Sequence, residues 1–529
     1  MIQVVTSRRV GDASARRAAI RFLSTVSCEP LRGPTPDDVK HFRAMMGNRE
    51  SSILTTMCGG DENDLDPYNI DWTRRFRGSS RLVLSPRCTR EVSSILKYCN
   101  QALIGVVTQG GNTGLCGGAT PVGDELILSL KKMDSIYGID ETSGILTCDS
   151  GAIIQNLQDY AESRKVLFPL DIGSKGTCLI GGCVGTNAGG QYYSRFGSLH
   201  STVRGLEAVL ADGQVLHLNM QVDDNGAVGG VNLKDNTGYD LKHLFIGSEG
   251  TLGVITKVAI ECPPLPSSKH AAMLVCDGYA DVLRVVKEAR NELGEVLSAL
   301  EVMDLNTMSC VKRAFVNSGR ESQLLDEIVD GSGQASQQPI FLLIEAQGSN
   351  EEHDASKMDT FLTNLFETGS IQNGFLAQDT KQLQEMWELR EACNPSVAST
   401  GYVYKFDVSI PVPFFFDTAQ EVESKLVENG IEGVTVCVWG HLGDGNAHIN
   451  IVKANSFDKD IDLAKIAESV VFQSVLKRKG SISAEHGLGQ TKNEYLRDIK
   501  SDAELEIMRQ MKSLFDPHGI MNPMKYLPR

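Results

Sequence analysis

The 529-residue sequence lacks the usual marks of nucleic-acid-binding, membrane-spanning and disulfide-stabilised proteins. Its 51 Lys and Arg residues are outnumbered by 67 Asp and Glu, and the formal net charge of −16 argues against a nucleic-acid partner. No stretch reaches the roughly 18 apolar residues that a membrane span needs. The 13 cysteines form no CxxC pair and no framework spacing, which indicates buried free thiols in a reducing compartment. We therefore expect a soluble globular protein.

The length of the chain, with 41% hydrophobic residues, is enough for two or three domains, because single cores stop growing near about 250 to 300 residues. No internal repeat is visible. The segment PPLPSS, residues 263–268, would break any regular element and marks a natural domain boundary.

The first 27 residues differ from the rest in charge, because five arginines and several serines accompany a single acidic residue, Asp12. The arginines are Arg8, Arg9, Arg16, Arg17 and Arg21. This composition is typical of a mitochondrial transit peptide, so we predict a transit peptide over residues 1–30 and location in the mitochondrial matrix. The alternative is a disordered basic tail with no targeting function.

Two histidines in the stretch GHLGDGNAHIN, His441 and His448, and the Glu485-His486 pair in SAEHG indicate a catalytic metal site. The tail INIV alternates as a half-buried strand does, which places His448 and Asn450 on one face. A Gly-Asp-Gly turn can fold the first imidazole beside the second. Two imidazoles and one carboxylate match catalytic zinc, which keeps a coordination position open. The alternative is that these are loop residues hydrogen-bonded to the backbone. Only the fold can bring residue 485 to residue 441.

Three glycine-dense blocks lie between residues 104 and 256. They are IGVVTQGGNTG, DIGSKGTCLIGGCVGTNAGG (171–190) and DNTGYDLKHLFIGSEGTLGVIT (235–256). The spacing matches neither GxGxxG nor the Walker pattern, and each block alone could be a tight turn. Backbone N–H groups in such loops can converge on an anion, and three loops together indicate a long ligand such as a dinucleotide.

Local patterns predict several elements. LVLSP, residues 82–86, is typical of a strand, and TREVSSILKYC is typical of a helix with Thr89 as its N-cap. VLADGQVL predicts a hairpin that turns at Asp212-Gly213. LEIMRQMKSLF predicts an amphipathic helix with five residues on its buried face: Leu505, Met508, Met511, Leu514 and Phe515.

Taken in order, QGGNTG, GGCVGTNAGG, NTGYDL and IGSEGTLGVIT resemble the FAD-binding domain of the vanillyl-alcohol oxidase and p-cresol methylhydroxylase type. WGHLGDGNAHIN, SAEHGLG and FDPHGIMNPMK resemble the C-terminal half of its D-2-hydroxyacid dehydrogenase branch. The resemblance implies an α+β protein with an FAD-binding domain of two α/β subdomains, an α+β cap domain and a C-terminal helical segment. The expected segments are a transit peptide (1–30), a helical segment (31–77), the FAD-binding domain (78–262), the cap domain (269–490) and a returning C-terminal segment (491–529).

The resemblance also implies which residues surround FAD. They are Gln109, Gly110, Gly111, Asn112, Thr113, Gly114, Gly181, Gly182, Gly185, Asn187, Gly189, Gly247, Gly250, Gly253, Val254 and Asn522. Many members tether FAD through a histidine in the first loop, but this chain has Asn112 there, so we expect non-covalent FAD. A thioether at Cys178, near the position where some doubly tethered oxidases place a cysteine, is the alternative.

For the reaction, the resemblance implies FAD-dependent oxidation of D-2-hydroxyglutarate to 2-oxoglutarate. Zinc held by His441, His448 and Glu485 would lower the pKa of the C2 hydroxyl. His486 would take the proton, since an imidazole is a suitable base near neutral pH. The C2 hydrogen would leave as hydride to flavin N5. Other N/O-binding metals such as cobalt or manganese stay open.

The same resemblance implies the substrate contacts and the partners. Arg390 and Lys405 would hold the distal carboxylate and Asn450 the proximal one, although either cation could instead form a surface ion pair. Asn394 stands where the animal enzymes have threonine, which weakens the expected preference for the five-carbon diacid. Electron-transfer flavoprotein would accept the electrons, and a homodimer is possible. Alternatives are a D-lactate or broad D-2-hydroxyacid dehydrogenase, an alkyl-transferring flavoprotein synthase, and a structural or metal-storage protein.

Overall fold

The computed structural model describes residues 30–331, 338–371 and 373–528. The predicted transit peptide lies outside these residues, apart from its last position. Within them, the strands form sheets of four, five and seven strands and one two-stranded ribbon. Nothing in the described part of the chain combines the helical length and apolarity needed to cross a membrane. The described cysteines are free thiols and most are buried, as predicted.

The first sheet has the strand order β1-β2-β4-β3, with β2, β4 and β3 parallel and β1 antiparallel at one edge. Its elements are α1 (Pro36–Met45), β1 (Ile53–Thr55), α2 (Asp66–Asn69), β2 (Leu82–Leu84), α3 (Thr89–Ala102), β3 (Val106–Gln109) and β4 (Leu126–Ser129), with 3-10 turns at Glu50–Ser52 and Glu62–Asp64. The predicted strand at LVLSP and the predicted helix at TREVSSILKYC are confirmed as β2 and α3, but the N-cap of α3 is Cys88. Thr89 is instead the first residue of the helix, and its hydroxyl donates to buried Glu207.

The second sheet is antiparallel throughout, in the order β5-β6-β11-β7-β8. Its elements, with the β9-β10 ribbon, are β5 (Ile136–Asp140), β6 (Ile145–Asp149), α4 (Ile154–Ser163), α5 (Ile180–Gly185), α6 (Tyr193–Phe196), α7 (Leu199–Thr202), β7 (Val203–Val209), β8 (Val215–Leu218), β9 (Met220–Val222), β10 (Val228–Val231), α8 (Lys242–Phe245) and β11 (Val254–Glu261). The predicted hairpin is confirmed: β7 and β8 pair, and Gly213 takes a φ of +86° at the turn.

The third sheet is also antiparallel, in the order β15-β12-β14-β13-β17-β18-β16. Its elements are β12 (Ser268–Cys276), α9 (Tyr279–Glu292), β13 (Leu297–Asp304), α10 (Leu305–Asn317), α11 (Gln323–Gly331), β14 (Ile340–Gly348), α12 (Glu351–Glu367), β15 (Asn373–Leu376), α13 (Thr380–Glu391), α14 (Cys393–Ala398), β16 (Gly401–Ser409), a 3-10 turn (Val412–Phe414), α15 (Asp417–Glu428), β17 (Val434–His441), β18 (Asn446–Ala454) and α16 (Ile461–Lys477). One face packs on α9, α12, α15 and α16. The other packs on α10, α11, α13 and α14.

The C-terminal segment contains α17 (Leu496–Ile499) and α18 (Asp502–Phe515) and then returns to the first sheet. The amphipathic helix is confirmed, but its predicted apolar face is only partly buried, since Leu505 is buried and Leu514 is 74% exposed. The helix rests on the protein through Leu505 and through Phe515, whose ring meets Phe245 edge-on. The tail beyond it covers the free edge of β3, because Val106 exchanges backbone hydrogen bonds with residues 520 and 522.

Candidate active site

The second and third glycine-rich loops are joined by backbone hydrogen bonds. Gly247 N–H donates to the Val184 carbonyl at 3.0 Å, and Glu249 N–H donates to the Gly185 carbonyl at 2.8 Å. These bonds satisfy carbonyls at the end of α5, which lack partners inside so short a helix. The first loop lies against the second as well, because a Cβ on Gly110 would sit 3.7 Å from the Gly182 Cα. The three loops therefore form one surface.

The glycines of this surface serve two different purposes. A Cβ added at Gly114, Gly182 or Gly185 would meet no atom within 4 Å, so the backbone at these positions borders open space. At Gly111 the added Cβ would lie 2.3 Å from the Thr177 carbonyl oxygen, which permits no side chain. Two other predicted glycines are similarly enclosed, Gly181 by Ser150 and Gly253 by Val209. The first set fits a ligand cradle, and the second set serves close packing.

Two polar side chains of the first loop, Gln109 and Asn112, point into the protein and away from the open space beside the glycines. Gln109 is fully buried, and its amide donates to the carbonyls of Tyr68 and Ala119. Asn112 has a φ of +56°, and its amide donates to the carbonyls of Pro67 and Ile70. These two side chains hold the loop against the N-terminal segment, which leaves backbone groups to meet a ligand. Thr113, next to Asn112, is half-buried.

The remaining residues predicted to contact the cofactor lie around the same surface. Asn522 accepts from Thr108 N–H at 3.2 Å and donates to the Glu249 carbonyl, so the C-terminal tail reaches the first and third loops. Gly250 lies beside the Asn522 amide. Asn187 accepts from His200 N–H at 2.9 Å. Val254 is fully buried at the start of β11, directly after the third loop.

The two histidines of the predicted metal site lie on adjacent strands of the seven-stranded sheet. His441 ends β17 and His448 follows the start of β18, and the turn between them places Gly445 at a φ of +77°. Their ring centroids are 5.5 Å apart. Glu485 arrives on the loop after α16, and one donor atom from each of the three residues lies within 4.8 Å of the others. The structure thus brings together residues that the sequence separates by 44 positions.

A second acidic group overlaps the first, because Asp407, Glu485 and His486 also place donor atoms within 4.8 Å of one another. Asp407 is buried on β16, and its Oδ2 accepts from the N–H groups of Glu485 and His486 at 3.0 and 2.9 Å. Its Oδ1 is buried without a hydrogen-bond partner and lies 4.0 Å from His448 Nδ1. Unsatisfied buried carboxylate oxygens are rare, so this atom is consistent with a cation-binding site.

Charges within the cluster control the protonation of the imidazoles. Burial by itself would lower the pKa of His441, but the negative charge of Glu301, 2.6 Å from Nδ1, outweighs it and raises that pKa to about 9. Burial and then the charge of His441 lower the pKa of His448 well below its usual value. Burial would raise the pKa of Asp407, yet His486, Lys492 and His448 hold it below its usual range. A neutral His448 is ready to coordinate a metal.

The side chains predicted to bind substrate adjoin this cluster but are engaged with protein groups. Arg390 on α13 donates through Nε to Glu301 at 2.7 Å. Lys405 donates to the Asn394 amide oxygen at 2.8 Å and faces solvent. Asn450 stands directly opposite Lys405 across β16 and β18 and donates to the His448 carbonyl at 3.1 Å. Lys405 and Asn450 thus continue the sheet face that carries His448, and Arg390 reaches Glu301 from α13.

The glycine-loop surface and the histidine cluster meet at one loop. The Glu249 carboxylate accepts from Leu488 N–H at 2.7 Å and from Gly489 N–H at 2.9 Å, just after Glu485 and His486 in sequence. A Cβ on Gly189 would lie 3.7 Å from a Glu485 carboxylate oxygen. The candidate active site is therefore the junction of the FAD-type loops with the seven-stranded sheet.

Three carboxylates of the site were absent from the sequence prediction: Glu301, Asp407 and Glu249. Asp407 had a local signal, because it is two residues from Lys405 and so shares its face of the strand. Glu249 lies inside the third glycine block, from which only glycines and Val254 were predicted to contact the cofactor. Glu301 lies in the segment LEVMD, and the only indication of its role in the sequence was a charged residue among apolar ones.

Two family models match this architecture. Residues 80–219 match the FAD binding domain, and residues 265–526 match the C-terminal domain of FAD linked oxidases. Among solved structures, p-cresol methylhydroxylase with substrate bound is similar over 93% of this chain and 96% of that chain, with a TM-score of 0.70 and 16% identity. Alkyldihydroxyacetonephosphate synthase is similar over 95% and 86%, with a TM-score of 0.66 and 15% identity. The predicted fold class is confirmed, and the protein is an FAD-dependent oxidoreductase.

Curated relatives narrow this class. The mitochondrial D-2-hydroxyglutarate dehydrogenase of Bos taurus is 43% identical over 88% of this chain and 80% of its own length. A Schizosaccharomyces pombe protein named provisionally as a mitochondrial D-lactate dehydrogenase is 42% identical over 93% and 90%. The D-2-hydroxyglutarate–pyruvate transhydrogenase of Saccharomyces cerevisiae is 36% identical over 93% and 94%. The chain belongs to the family of FAD-linked enzymes that contains the D-2-hydroxyglutarate dehydrogenases, as the sequence motifs predicted.

Proposed function

We propose that the protein oxidises D-2-hydroxyglutarate to 2-oxoglutarate with FAD as the hydride acceptor. The observation that carries the proposal is the junction itself, where the imidazole and carboxylate donors of His441, His448 and Glu485 lie beside the glycine-loop surface. A hydroxyacid bound there would have its hydroxyl at the donor cluster and its C2 toward the cofactor loops. The name of the Bos taurus relative supports the choice of substrate.

FAD fits the glycine-loop surface because the backbone at Gly114, Gly182 and Gly185 borders open space. Bound FAD would supply the redox chemistry by accepting the C2 hydrogen as hydride. We propose that the backbone of the three loops and Asn522 hold it. An amide such as Asn112 is not a nucleophile and is already hydrogen-bonded, so we propose non-covalent FAD. Cys178 is buried, which disfavours a thioether there.

A zinc ion fits the donor set of His441, His448 and Glu485, and the unpartnered Oδ1 of Asp407 adds negative charge next to it. Zinc bound there would act as a Lewis acid that lowers the pKa of the substrate hydroxyl. We propose that His486 accepts the hydroxyl proton, since its ring stacks over His448 with centroids 6.1 Å apart. Asp407 holds the His486 backbone in place for that step. Asn450 would orient the proximal carboxylate.

For the distal carboxylate, we propose Arg390 and Lys405 as the cationic partners. Glu301 binds Arg390 at Nε, which orients the guanidinium plane that carries the two terminal nitrogens. The Lys405 ammonium faces solvent beside Asn394, and among the described residues its hydrogen-bond partner is the neutral amide oxygen of Asn394. A substrate carboxylate would therefore replace a neutral contact with a charged one. Asn394 could donate its amide to the same carboxylate.

We further propose the cellular setting that the motifs and the names of the relatives support. Residues 1–30 would direct the chain to the mitochondrial matrix, where electron-transfer flavoprotein would reoxidise the flavin, with a homodimer as the assembly. The domain limits stay as predicted, with an FAD-binding domain at 78–262 and a cap domain at 269–490. A second candidate is oxidation of D-lactate, which the name of the Schizosaccharomyces pombe relative suggests. Lactate has no distal carboxylate, so Lys405 would then keep the neutral amide oxygen of Asn394 as its partner.

A substrate panel under anaerobic conditions tests the proposal. The FAD-loaded enzyme is mixed with D-2-hydroxyglutarate, D-malate, D-lactate or L-2-hydroxyglutarate, and bleaching of the flavin absorbance is followed. We expect D-2-hydroxyglutarate to have the highest kcat/KM and the L-enantiomer to give no bleaching. A higher kcat/KM for D-lactate would favour the second candidate. Persistent oxidised flavin with every hydroxyacid would refute both.

A further inference from the structure

Each histidine of the metal site stands directly opposite a buried carboxylate on a neighbouring strand. The register pairs His441 on β17 with Glu301 on β13, and His448 on β18 with Asp407 on β16. The side chains of the two carboxylates are 1% and 2% exposed. Directly opposite residues of an antiparallel pair point to the same face, so each carboxylate lies beside an imidazole.

Glu301 differs from Asp407 because its two oxygens serve two different parts of the site. Oε1 lies 2.6 Å from His441 Nδ1, and Oε2 accepts from Arg390 Nε at 2.7 Å. A carboxylate at Nδ1 fixes the ring orientation and leaves Nε2 available to coordinate a metal. A carboxylate at Nε fixes the plane of the guanidinium.

We propose that Glu301 is a positioning residue that couples metal binding to recognition of the distal carboxylate of the substrate. One oxygen holds the ligand His441 and the other holds Arg390, so a single buried side chain sets the geometry at both ends of the substrate. This inference rests on the proposed function. It follows that neutralising Glu301 impairs metal affinity and substrate preference together, although Glu301 touches neither the metal nor the substrate.

The test is Glu301→Gln in the full-length, FAD-loaded enzyme. Glutamine keeps the shape but replaces one acceptor oxygen with an NH2 group, so it can serve only one of the two N–H donors. In the absence of substrate, competition with a chromophoric chelator should show zinc affinity weakened about 10- to 100-fold. The ratio of kcat/KM for D-2-hydroxyglutarate to that for D-lactate, which has no distal carboxylate, should fall at least about tenfold.

A matched control exists on the same face of the sheet. Glu345 on β14 is 2% exposed and hydrogen-bonds to Trp387 and Ser298, with none of the proposed ligands among its partners in the described residues. Glu345→Gln should leave zinc affinity and the substrate ratio unchanged. Glu301→Asp keeps the charge on a shorter side chain and should show the same two losses to a smaller extent, which provides a second variant if Glu301→Gln does not fold.

The outcomes separate this inference from the proposed function. If the wild-type enzyme binds zinc and a folded Glu301 variant matches it in both measurements, the inference is wrong and the proposed function stands. A change in zinc affinity alone, or in the substrate ratio alone, also refutes the coupling. If the wild-type enzyme binds no zinc, the metal site of the proposed function fails and the inference fails with it.

Discussion

The contact between Glu249 and the loop after His486 connects the FAD-type loops to the seven-stranded sheet. Both carboxylate oxygens accept backbone N–H groups, one from Leu488 at 2.7 Å and one from Gly489 at 2.9 Å. Burial raises the pKa of Glu249, and the same two N–H groups act in the opposite direction. We predict that Glu249→Gln loosens the loop that carries Glu485, because the amide NH2 would oppose one of the two N–H donors.

The magnitude follows from the hydrogen bonds. A hydrogen bond to a charged group contributes about 1.5 to 3 kcal/mol, and the variant loses one of two. A loss of about 2 kcal/mol in the free energy of local opening raises the equilibrium population of the open state about 30-fold. Amide hydrogen exchange measured by mass spectrometry on peptides that cover residues 485–490 should therefore quicken about 30-fold in the full-length protein.

A control separates this effect from general destabilisation. Glu261→Gln removes a partly exposed partner of Arg204 at the far end of β11 and should leave exchange in residues 485–490 unchanged. Zinc should also dissociate faster from the Glu249→Gln variant, because Glu485 lies on the loosened loop. Unchanged exchange in residues 485–490 of that variant would refute the claim that Glu249 holds the two parts of the site together.

Three further predictions concern buried or cationic groups. Asp407→Asn should lower the free energy of unfolding in urea by about 3 kcal/mol, since it leaves the buried Lys492 ammonium without its buried counter-charge, and a loss below about 1 kcal/mol would contradict this. Burial lowers the pKa of Lys525 from 10.5 to about 7. Between pH 7 and pH 10.5 the unfolded chain therefore holds this proton and the folded protein does not, so the free energy of unfolding should rise with pH over that range. Lys525→Met should reduce that rise in urea titrations, by at most about 5 kcal/mol, and an identical pH profile would show the prediction to be wrong. Lys405→Met should raise KM for D-2-hydroxyglutarate about tenfold and leave KM for D-lactate unchanged, whereas equal effects on both would argue against a contact with the distal carboxylate.

Local patterns in the sequence were enough to predict several parts of the structure. The alternation in INIV predicted that His448 and Asn450 share a face, since strand geometry depends only on neighbouring residues. The hairpin at Asp212-Gly213 followed from its turn residues for the same reason. The glycine blocks indicated loops, but which glycines border open space and which are enclosed depends on contacts such as that between Gly111 and the Thr177 carbonyl.

The supporting carboxylates could not be predicted, because their partners are distant in sequence. Glu301 and His441 are 140 residues apart, and only the pairing of β13 with β17 places them opposite each other. Misjudged details have the same origin. Thr89 is the first helical residue rather than the N-cap, and its hydroxyl donates to Glu207, 118 residues away in sequence. Leu514 stays exposed because the described residues leave that part of α18 uncovered.

The rate of flavin reduction with and without metal tests the central claim most directly. The full-length enzyme is reacted anaerobically with D-2-hydroxyglutarate as isolated, after removal of metal by a chelator, and after addition of one equivalent of zinc. We predict that metal removal slows flavin reduction at least about 100-fold, that zinc restores it, and that zinc does not restore the His448→Ala variant. Unchanged flavin reduction in protein shown by elemental analysis to be free of metal would contradict the account.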